Sequence, residues 1–195
     1  IIGSIAFFRC SDLTSVNFDS DSQLTKISNH VFLGCSSLTS VSFNALILLE
    51  TIGNQAFHSS GLSGSITLPA SLTSIGLKAF YLCSSLTSVS FEDGSQLATI
   101  GSDAFRSSGL SGSITLPASL TSIGRSAFYH CSSLTSASFR CGASALSIGS
   151  IAFDLSGVTS IALPSTATYG GTNTTLTCTS VGTDCSSNID VCNSA

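Results

Sequence analysis

The chain has no methionine, no tryptophan and only three prolines in 195 residues, and just 8% of its side chains are charged. An ordinary soluble domain carries roughly 25% charged residues. Here serine, about a fifth of the chain, does the solvating together with threonine. No apolar run reaches the roughly 20 residues of a membrane-spanning helix, so no membrane span is expected. The six basic residues, Arg9, Lys26, Lys78, Arg106, Arg125 and Arg140, stand singly and the formal net charge is −4. Phosphate backbones are bound by clustered Lys and Arg, so nucleic acid is not expected as a partner. No HExxH, GxSxG or glycine-rich phosphate loop is present. The chain opens Ile1-Ile2-Gly3 without a signal peptide and reads as the tail of a turn whose beginning is missing. The expectation is a processed or truncated chain. Its first stacking face is then covered either by upstream chain or by another subunit.

What the chain has instead is repetition. Ser59–Gly76 reads SSGLSGSITLPASLTSIG, and Ser107–Gly124 repeats it letter for letter, 48 residues on. A fixed period of this size marks a unit that cannot bury its apolar face alone and must stack on its neighbours. Three columns keep the beat. One is Phe7, Phe32, Phe57, Phe80, Phe105, Phe128 and Phe153, spaced by 25, 25, 23, 25, 23 and 25 residues. Another is Ile2, Ile27, Ile52, Ile75, Ile100, Ile123 and Ile148. The third is Val16, Val41, Ile66, Val89, Ile114, Ala137 and Ile161. Two turn types alternate, CSSLTSVSF as at Cys83–Phe91 and SGLSGSITLP as at Ser60–Pro69. The 48-residue unit is thus a pair of similar turns.

LTSVSF alternates as a short strand does, with Leu86, Val89 and Phe91 inward and Ser88 and Ser90 outward. The glycine closing LTSIG permits a tight bend. The Ala-Phe segment that follows, KAFYLC or DAFRSS, is expected as one helical or 3-10 turn. Pro69, Pro117 and Pro164 end the strands that precede them, because proline cannot donate to a sheet ladder. The expected fold is a leucine-rich-repeat solenoid of about seven turns, β-dominated, with a parallel sheet and short helical or 3-10 turns.

The pattern LPASLTSIGxxAFxxCSSLTSVSF resembles the BspA-type, or Treponema-type, leucine-rich repeat over about residues 1–163. The resemblance implies a right-handed horseshoe or gently curved solenoid with its parallel sheet on the concave face. It implies a surface or secreted protein of a bacterium or microbial eukaryote, with adhesins among its relatives, and it carries over no catalytic residues. Residues 164–195 lie outside that pattern. They are rich in Ser, Thr and Gly and are expected as a Cys/Ser/Thr-rich cap, a linker or a docking arm.

The residue before each inward Val, Ala or Ile of the third column is Ser15, Ser40, Ser65, Ser88, Ser113, Ser136 and Ser160. The residue after is Asn17, Ser42, Thr67, Ser90, Thr115, Ser138 and Ala162. Stacked in register, these make two rows of small polar groups about 4.8 Å apart. Three readings stand. Serine solvates a sheet face; or the face meets another repetitive surface, such as a second solenoid, a glycan or ice; or the hydroxyls carry O-linked sugars. A nucleophilic serine needs a base in hydrogen-bond reach, and His30, His58 and His130 fall elsewhere in the repeat, as incidental convex-side residues. Asp19 with Asp21, and Glu92 with Asp93, are weak calcium hints that match no EF-hand or Asp-rich turn. Neither a metal nor a cofactor is expected.

The eight cysteines fall into two groups. Cys10, Cys35, Cys83 and Cys131 each stand three residues after a column phenylalanine, where Ser60, Ser108 and Ser156 stand in other turns. This is a structural column for a small buried side chain. Cys83 and Cys131 lie two turns apart, beyond disulfide reach, whereas a Cys10–Cys35 bond is sterically open but not required. Cys141, Cys178, Cys185 and Cys192 lie outside the column; their spacing does not suit a zinc knuckle. They read as two disulfides closing a cap, with three connectivities open, which places the chain in an oxidising compartment. The sequon Asn173-Thr174-Thr175 agrees with secretion in a eukaryote.

The residues therefore describe a non-enzymatic, extracellular or cell-surface repeat protein with a protein or glycan surface, or copies of itself, as partner. One role is a cell-surface adhesion or ligand-binding module acting through protein–protein interaction. The other is a subunit of a self-assembling extracellular filament, since a heterologous contact that does not close makes a fibre.

Overall fold

A computed structural model describes every residue of the chain except 20, 45, 141–145, 164–166, 170–175, 180–189 and 195. The chain winds into a parallel β-solenoid, with no helix among the described residues. One side of the coil is a ladder of two-residue strands: Lys26–Ile27, Thr51–Ile52, Ser74–Ile75, Thr99–Ile100, Ser122–Ile123, Ser147–Ile148 and Thr168–Tyr169. All seven pair in parallel as one sheet, and Ile2 joins it by a bridge to Ile27. From Ile27 to Ile148 the isoleucines of this row point inward and are shielded, while the residue before each, Lys26 and then Ser or Thr, is exposed or half-buried.

The second side carries longer strands, Ser15–Phe18, Ser40–Phe43, Gly64–Leu68, Leu86–Phe91, Ser111–Leu116, Ser133–Phe139 and Ser160–Leu163. Their registers set Val16 on Val41, Ile66 on Val89, and Ala137 on both Ile114 and Ile161. The hydrogen-bonded ladder is broken between Ser40–Phe43 and Gly64–Leu68, and again between Leu86–Phe91 and Ser111–Leu116. Both breaks fall where a SGLSGSITLP turn follows a CSSLTSVSF turn. There Gly64 (φ 68°) and Gly112 (φ 67°) take left-handed conformations at the strand start, and the paired register slips by one residue beside each. At the C-terminal end, Asp190–Ser194 pairs antiparallel with both Ser160–Leu163 and Leu176–Thr179.

Phenylalanine forms the spine between these two sides. Rings from Phe7 to Phe153 stack in sequence at 5.0–5.3 Å with planes within 12° of parallel. Phe32, Phe57, Phe80, Phe105 and Phe128 have no solvent exposure. Offset ring pairs contribute about 0.5–1.5 kcal/mol beyond the area they bury, so each ring from Phe32 to Phe128 is stabilised from both sides. The alanines before Phe57, Phe80, Phe105, Phe128 and Phe153 are also fully buried, and Val31 fills the same place before Phe32.

The Ala-Phe segments run as chained tight turns rather than the single helical or 3-10 turn their sequence suggests. The N–H groups of Ala56, His58 and Ser60 turn back to the carbonyls of Gly53, Gln55 and Phe57. Those of Gln55, Phe57 and Ser59 donate to Leu77, Ala79 and Tyr81 of the next turn at 2.8–2.9 Å. A helix would keep every donor within the segment and leave none for the neighbour. The alternation requires a left-handed residue at the third place of every second turn, as a type II turn does. Gln55, Ser59, Lys78 and Leu82 hold that place with φ of 54–59°.

Where the short strand passes into these turns, successive backbones approach closely. A Cβ on Gly101 would lie 2.6 Å from the carbonyl carbon of Gly76 and 2.7 Å from the nitrogen of Leu77. Gly101→Ala is therefore expected to cost about 1–3 kcal/mol, as overpacking does. Phe105→Ala should cost about 3–5 kcal/mol, both measured by denaturant unfolding. A Phe105→Ala loss within about 0.5 kcal/mol, the range of a surface change, would rule out the spine as the core.

Candidate interaction faces

The long strands bring the expected hydroxyl rows together in blocks. Ser15 lies opposite Ser40, Ser65 opposite Ser88, and Ser113, Ser136 and Ser160 stand in one run. The row beside them pairs Asn17 with Ser42, Thr67 with Ser90, and Thr115 with Ser138. Side chains bond along the coil axis: Ser42 to Asn17 at 2.7 Å, Thr67 to Ser90 at 2.9 Å, Ser136 to Ser113 at 2.8 Å and Thr115 to Ser138 at 3.3 Å. Apart from Ser136 and Ser138, which are half-buried, the described side chains of both rows are exposed. The result is a flat, uncharged surface of hydroxyls that partly satisfy one another. It offers hydrogen bonds to a partner and contains no base to activate a serine.

A second hydroxyl row escaped the sequence reading. Thr51, Ser74, Thr99, Ser122 and Ser147 precede the inward isoleucines of the short strands and stand in one continuous register. The signal was available in the letters, one place before each column isoleucine.

The third side, made by the Ala-Phe turns, holds all three histidines and four of the six cations, Arg9, Lys78, Arg106 and Arg125. The structure brings some of them together. His58 packs edge-on to Tyr81 at 4.8 Å, and its Nδ1 is 3.1 Å from the Gln55 amide oxygen. Burial, with Lys78 and His30 nearby, pushes the His58 imidazole below its ordinary value. Arg106 lies 5.9 Å from the Tyr81 ring centre and 4.9 Å from that of Tyr129, and donates to Asp103 at 3.1 Å. Tyr129 lies 6.3 Å from His130. His30 belongs to a turn nearer the N-terminus and joins no ring contact that is described here.

Two of the four carboxylates that hint at calcium have other partners. Glu92 accepts the Ala70 N–H at 3.0 Å, and Asp93 pairs with Arg140 at 2.8 Å. Among the described residues no three metal-ligating side chains converge. Of the outer cysteines, Cys141 and Cys185 lie outside the described residues, as does Asn173. Cys178 and Cys192 are register partners on the antiparallel strands.

The column cysteines are free thiols, with Cys10 exposed and Cys35, Cys83 and Cys131 buried. Cys83 and Cys131 donate to the carbonyls of Phe57 and Phe105 at 3.1 Å, tying each turn to the one before. Burial raises the Cys83 thiol to about 11 from an ordinary 9.0, and burial raises Cys131 also. A pKa raised on folding means that the folded state holds the proton more tightly than the unfolded chain. The stability this adds is complete below pH 9.0 and is lost as pH rises through about 11. Melting temperatures taken from pH 8 to 11 should fall across that window. Iodoacetamide on the native chain should label Cys10 and spare Cys83 and Cys131.

These geometries define a leucine-rich-repeat solenoid with broad surface to offer. A family model described as a BspA type leucine rich repeat region matches residues 1–135 and 50–182, in six copies. The chain belongs to that family. The match reaches beyond residue 163, where the letter columns stop, in keeping with Thr168–Tyr169 continuing the short ladder. A T. pallidum leucine-rich repeat protein is similar over 72% of this chain and 75% of its own, at 28% identity and a TM-score of 0.61. The pneumococcal vaccine antigen PcpA is similar over 79% of this chain at 23% identity and a TM-score of 0.56. This chain spans 51% of that antigen's chain. No curated protein matches by sequence.

Proposed function

We propose that the chain is a non-catalytic, extracellular module of a cell-surface protein, serving adhesion or ligand binding. The observation that carries this reading is the uncharged hydroxyl face of the long strands, its described side chains exposed except at Ser136 and Ser138 and held in register by the backbone within each block of strands. Such a face suits broad contact with a protein or glycan. Membership of a repeat family of interaction modules supports it, as does likeness in fold to a vaccine antigen.

The experiment is attachment of chain-coated beads to cultured epithelial cells. The wild-type chain should attach. Ser88→Lys with Ser113→Lys should abolish attachment while leaving the circular dichroism spectrum unchanged. Attachment unaffected by these lysines would remove the hydroxyl face from the contact. A chain that sediments as regular fibres and does not attach would overturn the adhesion reading in favour of a filament subunit.

For residues 164–195 we infer a closing cap. An antiparallel strand over Ser160–Leu163 supports this, because it covers the edge a parallel ladder leaves open. Directly opposed residues of an antiparallel pair lie within the Cα separation of a disulfide. That register favours Cys178–Cys192 among the three connectivities and leaves Cys141 with Cys185. Non-reducing peptide mapping of secreted material should recover these two pairs. A Cys178–Cys185 or Cys141–Cys178 peptide would refute the register.

A further inference from the structure

The column one place after each spine phenylalanine runs Phe8, Leu33, His58, Tyr81, Arg106, Tyr129 and Asp154. Its middle four alternate base and ring. The alternation comes from the duplication: His58 and Arg106 are 48 residues apart, and so are Tyr81 and Tyr129. The strip is ordered before any partner arrives. Arg106 is clamped between the two tyrosine rings and Asp103. Its buried Nε has no hydrogen-bond partner, yet the side chain remains 40% exposed. The outer part of the guanidinium is thus presented to solvent from a fixed mount, which lowers the entropy cost of binding. Lys78 stands 5.5 Å from the Tyr81 ring, and Arg125 and His130 are exposed.

This side is cationic on a chain of net charge −4. Among the described residues, the carboxylates on this side of these turns and the next are Asp103, which pairs with Arg106, and Asp154. Tyrosine and arginine dominate binding energy at interfaces, and on a surface otherwise built from Ser and Thr they gather here. The ligand is therefore anionic.

The geometry also selects its shape. Lys78, Arg106 and Arg125 occupy three successive turns, whose spine rings are 5.1 and 5.3 Å apart. The cations stand at different places in their turns, Lys78 two before, Arg106 one after and Arg125 three before the spine phenylalanine, so positive charge is spread along the coil, which suits an extended polyanion such as a polysaccharide lying along it. A peptide is a poorer match. Peptides are read by a free sheet edge, an apolar groove or a polyproline cradle. Here the N–H groups of Lys78, Phe80 and Leu82 are already given to the Ser102, Ala104 and Arg106 carbonyls, so a peptide backbone has no ladder to join.

We infer that this strip binds a linear sulfated polysaccharide. Its sulfates meet Lys78, Arg106 and Arg125 through charge-assisted hydrogen bonds, with Tyr81 and Tyr129 as rigid spacers. The inference rests on the reading of the chain as a surface ligand-binding module, and it names the chemistry of one ligand.

The test is calorimetric titration of the full chain with a heparin decasaccharide at low salt, beside hyaluronan, neutral dextran and poly-glutamate. Heparin should bind most tightly, and the affinity should fall steeply with added salt, as for any polyanion that releases counterions. Lys78→Gln with Arg106→Gln should weaken binding at least tenfold. Arg125→Glu, on an exposed residue outside the ring stack, should weaken it independently and so covers a failure of the double variant to fold. Absence of heparin binding, equal binding of dextran, tighter binding of poly-glutamate, or unchanged affinity in folded variants would each overturn the inference. Cell attachment without heparin binding would sink the strip alone. Heparin binding without cell attachment would sink the adhesion reading and leave the strip standing.

Discussion

Hydrogen bonding between successive turns sets what every other part of this molecule is allowed to be. On the short-strand side it places isoleucine over isoleucine; in the Ala-Phe segments it takes every second backbone donor. Once a turn is tied to its neighbour about 5 Å away, each side chain meets its own equivalent above and below. Columns must then be self-compatible. Phenylalanine stacks on phenylalanine, isoleucine on isoleucine, and a glycine must stand wherever two backbones nearly touch.

The same constraint accounts for the scarcity of charge. Two unit charges 4 Å apart repel by about 1 kcal/mol even in bulk water, and by more near a protein surface. A column that repeated one charge at every turn would accumulate that repulsion along the coil. Serine and threonine escape it, because a hydroxyl both donates and accepts. The bonds between Thr67 and Ser90 and between Ser136 and Ser113 show hydroxyl meeting hydroxyl across turns. Where a cation does enter a column, rings flank it: Arg106 stands between Tyr81 and Tyr129. A two-turn repeat makes this spacing heritable by duplication, which a one-turn repeat could not.

The three core columns were legible because burial acts on residue type, and a periodic Phe or Ile has little choice but to face inward. The hydroxyl rows followed from strand alternation. The turns were not legible. Lys78, Leu82 and Ile151 adopt left-handed backbones that nothing in their chemistry favours; the neighbouring turn imposes them by claiming alternate donors. The breaks in the long ladder depend on how Gly64 and Gly112 bend at a single peptide, below the resolution of a pattern of letters. The ring-and-cation strip was hidden for another reason. Within its own turn each histidine and arginine is a lone residue, whereas the arrangement exists only down the column.

The coil therefore separates its tasks by side. The inward column residues give stability and are fixed by stacking. The hydroxyl faces are regular and chemically mild, and any partner they take is met by many equivalent weak contacts that share one rigid frame. Contacts held on one frame act together, since after the first forms the others close at high effective concentration. The Ala-Phe side is different in kind. Its exposed residues are free of the inward packing that fixes the spine, so they vary from turn to turn while the backbone beneath them does not. Specificity in a repeat protein requires such a place, because a surface that is the same at every turn cannot distinguish one position of a partner from the next. On this chain, the turns that carry His58, Tyr81, Arg106 and Tyr129 break the monotony of serine without disturbing the register.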